Sequence, residues 1–387
     1  MKIIAALSRV TTSGLVLMEV DGLRFLAIAS VVLYHLKGYV LVKSPAANPE
    51  WQSSLLVSAL DRGWFGVILF FAISGFIISL PFASHYLGGA KPVSLKSYYL
   101  RRVTRLEPPY FICITVLFLL HLARGDTGLL PHYFSTLTYS HNLLFGEKST
   151  IAPVAWSLEI EIQFYLLAPI VARTFAIDGK LERRTLLVVL ILVGCAVQPL
   201  MNNWRLNVLM FAQCFLVGFL MADIYVSEWK SSPAKAWRWD ALALAAGALL
   251  FALTGSITRV WWSPPTHSAD QWVDPVWCAL ACLGLLALFA AAFRGRVTNA
   301  FLSIPYVSVI GGMCYTIYLY HEHVFSFVGR LAMRAHFTET FAGNYLLGIA
   351  LMVPFTLAVT SALFVAFEKP FMRRVWAARL TIHTQTR

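Results

Sequence analysis

Long apolar runs, broken by short polar or Gly/Pro-containing stretches, recur along the whole chain, and their lengths approach the ~20 residues with which a helix crosses a bilayer. They predict ten helical spans at about residues 17–42, 63–83, 107–123, 154–175, 184–200, 206–226, 239–257, 274–293, 306–329 and 344–367. The stretch 131–147 is aromatic but carries His132, His141 and Asn142, which predicts an interfacial or re-entrant segment and not an eleventh span. A lipid-facing barrel would alternate polar and apolar residues in segments of ~10, whereas these runs are continuous. The expected fold class is therefore an all-α membrane protein, a polytopic bundle of about ten transmembrane helices.

Composition agrees: 58% of the 387 residues are hydrophobic, 13% are charged and the mean hydropathy is +0.68. No long hydrophilic region, repeat or low-complexity tract interrupts the pattern, so one integral-membrane domain is expected over 1–387, with a core at about 17–370 and a basic tail at 371–387. Lys2 and Arg9 make a basic start, but Glu19, Asp21 and Arg24 interrupt the apolar run that follows, and no small-residue cleavage site comes after it. The first segment reads as retained, not as a signal peptide.

The net charge of +12 would suggest nucleic acid in a soluble protein; in a membrane protein it is sorted by loop first. Twenty-one Lys and Arg fall on the side that holds both termini and the loops near 84–106, 173–184, 227–238 and 294–303, against eight on the other side. The positive-inside rule then places both termini in the cytoplasm of a multi-pass protein of the inner membrane, and it still does so with Arg101, Arg102 and Arg105 left out. The lipid bilayer is the partner this implies, and nucleic acid is not expected.

The ionisable residues inside the spans are the chemical candidates, because an arginine near the bilayer centre costs on the order of 2.5–3.5 kcal/mol on insertion scales. Arg24 and His35 lie eleven residues apart in the first span. At roughly 100° per residue that is within about 20° of three full turns, so both project from one face about 16 Å apart along the axis. The alternative reading is that Arg24 snorkels to a headgroup and His35 makes a core hydrogen bond. Arg102 and Arg105, at i and i+3 after Arg101, suit either phosphate recognition or a lipid-headgroup anchor. In the fourth span Ser157, Glu161 and Tyr165 form a polar stripe behind Trp156, and Glu159, some 200° from Glu161, must face something else. Carboxylates there would also suit the positive end of their own helix. Gly66, Ser74 and Gly75 predict close helix approach in the second span. His321 is a site residue or the partner of a buried carboxylate, and H-x-H spacing with His323 does not favour zinc. The cysteines, Cys113, Cys195, Cys214, Cys278, Cys282 and Cys314, lie in apolar runs without C-x-x-C pairs and are expected as buried free thiols, with no metal site.

In order along the chain, Asp21-Gly-Leu-Arg24 with His35, the Gly66 to Phe76 stretch, Arg102-x-x-Arg105 with Pro108-Pro109-Tyr110, Trp156-Ser-Leu-x-x-Glu161-x-x-Phe164-Tyr165, Tyr318-Leu319-x-His321 and Glu368-Lys-Pro370 resemble the acyltransferase 3 family of bacterial membrane O-acyltransferases. Ile68 stands where that family often has an acid. Members with a fused SGNH-type domain are longer, so the resemblance is to the short form. It implies transfer of an acyl group, most often acetyl, from cytoplasmic acyl-CoA as donor substrate, with no permanently bound cofactor, to a hydroxyl of a carbohydrate, polysaccharide or glycosylated small molecule. In this reading His35 is the base, with an acyl-histidine route less favoured, and Arg24 supports the thioester or the donor. Arg101, Arg102 and Arg105 clamp CoA phosphates. Glu161 orients the imidazole or neutralises an arginine, and Ser74, Tyr165, Trp156 and His321 support the substrate or the site. The rival reading is a proton-coupled transporter or lipid-linked substrate flippase that uses Arg24, His35 and Glu161 as a relay. The oligomeric state is left open.

Overall fold

In a computed structural model of the chain, the described residues are 2–10, 16–201, 206–230, 234–262, 270–332 and 338–372, and most of the basic tail lies outside them. The long helices are α1 (Met18–Lys43), α2 (Phe65–Gly88), α3 (Leu95–Ala123), α4 (Trp156–Val171), α5 (Lys180–Val197), α6 (Ala212–Ile224), α7 (Trp237–Trp262), α8 (Asp270–Arg294), α9 (Cys314–Ala332) and α10 (Phe341–Leu363). No strand occurs among the described residues. Seven helical stretches, Met18–Lys43, Leu55–Gly88, Leu95–Ala123, Pro153–Ala176, Lys180–Met201, Pro275–Arg294 and Phe341–Met372, are long and apolar enough to cross a membrane. The chain is an all-α, multi-pass membrane protein.

The three remaining expected spans are helical too, but two differ in form. The run at 206–226 begins with a short turn at Val208–Met210 before α6 starts. The run at 306–329 is broken at Met313 into Pro305–Gly312 and α9. Gly311 explains the break's surroundings: a Cβ there would stand 1.8 Å from the Asp21 carbonyl oxygen, so only glycine lets this short helix lie against α1. The stretch expected to be re-entrant or interfacial forms two short helices, Leu130–Leu137 and His141–Phe145.

The chain forms two compact units. The first comprises Met1–Gly66, Tyr99–Leu117 and Ile304–Arg387, the second Val67–Tyr98 and Phe118–Ser303. In the first unit α1 is the central element, packed by Pro305–Gly312, α9 and α10. Lys37, buried within α1, is tolerated there because its ammonium donates to the Asp61 carboxylate.

In the second unit α2 and α6 meet backbone to backbone. A Cβ on Gly75 would lie 2.1 Å from the Phe215 carbonyl oxygen, and one on Gly218 would lie 2.2 Å from that of Ala72. The expectation of close approach from the Gly/Ser spacing holds for Gly75, and for Gly66, where a Cβ would stand 2.3 Å from the Ala27 carbonyl oxygen within the first unit. Around this crossing Phe215 stacks on Phe164 with centroids 4.1 Å apart and on Phe71 at 4.9 Å. Gly75→Val must separate the two backbones, and we expect it to abolish accumulation of folded protein, read as loss of the monodisperse peak in detergent chromatography. A wild-type elution profile would contradict this.

Candidate functional site

Helix α1 is continuous from Met18 to Lys43, so the eleven-residue spacing does carry Arg24 and His35 on the same side of one rod. Each end has acquired partners from elsewhere in the first unit. His321 of α9 is buried, and its Nδ1 lies 2.8 Å from the Tyr318 carbonyl oxygen and 3.0 Å from that of Ile317. Carbonyls only accept, so Nδ1 carries the hydrogen and the neutral ring presents a lone pair at Nε2. His35 Nδ1–H donates to that lone pair at 2.8 Å. The other nitrogen of His35, Nε2, faces Glu322 Oε1 at 3.2 Å. The fold has thus assigned the tautomer: Nε2 is the basic nitrogen, and a carboxylate stands beside it to stabilise an imidazolium.

His321 and Glu322 are sequence neighbours, roughly 100° apart around α9, which is how one short segment flanks the imidazole on two sides. The His35 and Glu322 side chains retain 25% and 28% of their exposure, so neither is fully buried. The donor atoms of His35, His321 and Glu322 lie within 4.8 Å of one another, also close enough to share a cation.

At the other end, Asp21 accepts from Arg24 Nη1 at 2.8 Å and from Arg9 Nε at 2.7 Å. Burial, with Arg24 next to it, lowers Arg9 to about 10, so it remains charged at neutral pH. Arg105 of α3 acts electrostatically on Arg9 and on Glu368, which also feels Arg24 and takes a hydrogen bond from the Thr316 hydroxyl. Arg105 Nε and Glu368 Oε1 are buried with no hydrogen-bond partner among the described residues. Among these groups three guanidiniums stand against two carboxylates. Of the expected arginine group, Arg105 joins this cluster, and Arg101 is exposed and within electrostatic reach of Arg102.

The remaining expected residues lie in the second unit. Glu161 Oε1 accepts from the hydroxyls of Ser74 and Tyr165, the latter at 2.6 Å, one turn along α4. Glu322 is a carboxylate that meets His35 and Asp21 one that meets Arg24, roles the sequence had offered to Glu161. Trp156 packs edge-on against Phe71, with centroids 6.3 Å apart. Ser157 turns back to the Val154 carbonyl. Glu159 does not serve its own helix end: it accepts the amide hydrogens of Asn142 at 2.9 Å and Leu143 at 3.2 Å, at the start of the short helix His141–Phe145. Ile68 is fully buried. Sequence reasoning passed over Glu322, Arg9, Thr316, and Asp21 and Glu368 as site carboxylates. Asp21, three residues before Arg24, was visible as an i, i+3 pair.

A family model described as an acyltransferase domain matches residues 18–365. The chain belongs to that family. The match runs through both units and takes in His35, Arg24, His321, Glu322, Arg105 and Glu161. Among its relatives, O-acetyltransferase OatA of Staphylococcus aureus is 27% identical over 334 residues, covering 80% of this chain and 50% of that protein. YrhL of Bacillus subtilis, whose name carries a provisional peptidoglycan O-acetyltransferase assignment, is 30% identical over 190 residues, covering 46% of this chain and 27% of its own length. The chain spans about half the length of OatA. No solved structure matches it.

Proposed function

We propose that this acyltransferase moves an acetyl group from cytoplasmic acetyl-CoA to a hydroxyl of a carbohydrate, polysaccharide or glycosylated small molecule. The observation that carries the reading is the His35 nitrogen left basic by His321 and faced by Glu322, on the helix that also bears Arg24. His35 Nε2 takes the acceptor's hydroxyl proton as its oxygen attacks the thioester carbonyl. The C–O bond forms, the C–S bond breaks, and the imidazolium returns its proton to the departing CoA sulfur. Direct transfer needs no acyl-histidine, because Nε2 is then occupied as the base. Arg24 and Arg105, with Arg9, offer charge-assisted hydrogen bonds to the donor's phosphates or to the oxygen that becomes negative during attack. Arg101 and Arg102 extend that charge. With both termini cytoplasmic in the inner membrane, the arginine end of α1 faces the compartment that supplies the donor.

The test is incubation of the detergent-purified chain with acetyl-labelled acetyl-CoA, with release of free CoA thiol as the readout. Donor-dependent thiol release supports the enzyme; liposome uptake of a substrate without donor consumption would replace this reading by the carrier. Glu322→Gln gives a sharper expectation. A hydrogen bond to a charged partner contributes about 1.5–3 kcal/mol, and each ~1.4 kcal/mol is tenfold in rate. The turnover number should therefore fall by about 10- to 100-fold while KM for acetyl-CoA stays unchanged. A change confined to KM would place Glu322 in donor binding instead.

A further inference from the structure

Four of the six cysteines, from three helices separate in sequence, lie in the second unit. Cys195 lies near the end of α5, Cys214 near the start of α6, and Cys278 and Cys282 one turn apart in the first half of α8. The three helices pack on one another, and all four thiols are buried. The sulfurs of Cys195, Cys278 and Cys282 lie within 4.8 Å of one another, with Cys195 and Cys282 at 4.0 Å. Cys214, also buried, interacts electrostatically with Cys282. Gln213, fully buried, donates from Nε2 to Cys278 Sγ at 3.4 Å, and its Oε1 has no partner among the described residues.

Cysteines scattered through apolar helices serve as small fillers. A gathering of three on one point, from segments 87 residues apart, is a different arrangement. With metal–sulfur bonds of about 2.3 Å, neighbouring sulfurs stand roughly 3.8 Å apart in a tetrahedron and roughly 4.0 Å in a trigonal plane. The Cys195–Cys282 separation falls on that scale, whereas a disulfide requires about 2.05 Å. Soft, all-sulfur surroundings select thiophilic d10 ions, and a closed, buried set is the mark of a structural site as opposed to a catalytic one.

We propose that Cys195, Cys278 and Cys282 hold one thiophilic metal ion, Zn²⁺ or Cu⁺, with Cys214 as the adjacent fourth sulfur. Binding forms metal–sulfur bonds and releases the corresponding thiol protons to solvent, with no change in oxidation state. The ion ties the end of α5 and the start of α6 to the first half of α8. Its apolar surround favours the least charged complex, so no more thiols ionise than the metal requires. The site is independent of the His35 chemistry.

The experiment is elemental analysis of the full chain, purified in detergent under reducing conditions and exposed in separate arms to Zn²⁺ and Cu⁺. About one ion per chain is expected in one arm, with a sulfur-to-metal charge-transfer band when Cd²⁺ is used as the probe. Cys195→Ser and Cys282→Ser should lower metal content by about tenfold or more. Cys113→Ser and Cys314→Ser, whose thiols lie in the first unit, should retain it. If the cluster variants fail to fold, the wild-type titration and its charge-transfer band still decide the matter. Absence of stoichiometric metal in both arms overturns the proposal, and so does a thiol count two short of six in metal-free protein, which would mark a disulfide. Loss of metal in the Cys113 or Cys314 variants overturns it as well.

Discussion

His35→Ala is expected to reduce acetyl transfer by at least 10²- to 10⁴-fold, the usual contribution of a positioned general base. The imidazole is the group whose Nε2 the fold prepares as a base: His321, locked by the carbonyls of Ile317 and Tyr318, accepts the Nδ1 hydrogen of His35 and leaves Nε2, beside Glu322, to accept a proton. Alanine removes that acceptor while leaving Arg24, Asp21 and Arg9 in place, so donor binding should persist. The measurement is CoA release with acceptor present, alongside acetyl-CoA affinity for the same preparation. Lost turnover with retained affinity is the expected pair. A wild-type rate in the variant would remove His35 from the chemistry altogether. His321→Ala should give a smaller loss, because the base remains but its tautomer and orientation are no longer imposed.

Asp223→Ala should be among the most destabilising single changes in the second unit. The Asp223 side chain is fully buried and accepts from the Nε groups of both Arg183 and Arg184, the latter at 2.7 Å. Arg184 continues to Glu228 at 2.8 Å, and Lys180 reaches the same carboxylate at 2.5 Å. These contacts tie the start of α5 to the end of α6 and the turn that follows. Removing the central carboxylate strands the buried Arg183 guanidinium, at a cost of about 3–5 kcal/mol. At roughly 2–4 °C per kcal/mol for chains of comparable size, the melting temperature in detergent should drop by about ten degrees. Asp223→Asn keeps an acceptor and should lose less. The double variant Asp223→Leu with Arg183→Met should recover much of the loss, because it leaves one fewer buried charge stranded. An unchanged melting temperature in Asp223→Ala would show that solvent or lipid headgroups already satisfy these arginines.

How far the site could be read in advance depended on how many residues separate its parts. The common face of Arg24 and His35 follows from helix periodicity within one uninterrupted segment, and the structure keeps that segment whole. The partners of His35 come from a helix 286 residues away, and no local rule connects the two. Glu159 and Glu161 illustrate the boundary in a single turn. Their angular separation predicted that they face different surroundings. That Glu159 would serve the helix at His141–Phe145, and Glu161 the hydroxyls of Ser74 and Tyr165, depended on which neighbours were packed there. The ninth expected span was continuous by hydropathy, yet it divides at Met313 beside the tight approach of Gly311 to Asp21, a contact outside the reach of any apolar window.

By itself the amino-acid sequence determined that the chain is helical and membrane-embedded, where most of its helices lie, and which ionisable residues are costly enough to demand a purpose. Those properties arise from short-range periodicity and from transfer of side chains out of water, both of which act residue by residue. Only the tertiary structure decided that His321 and Glu322 attend His35, that Asp21 joins Arg9 to Arg24, and that cysteines of three separate helices meet. Hydrogen bonds and ion pairs form over about 3 Å, and which groups come that close is settled by the packing of helices remote in sequence.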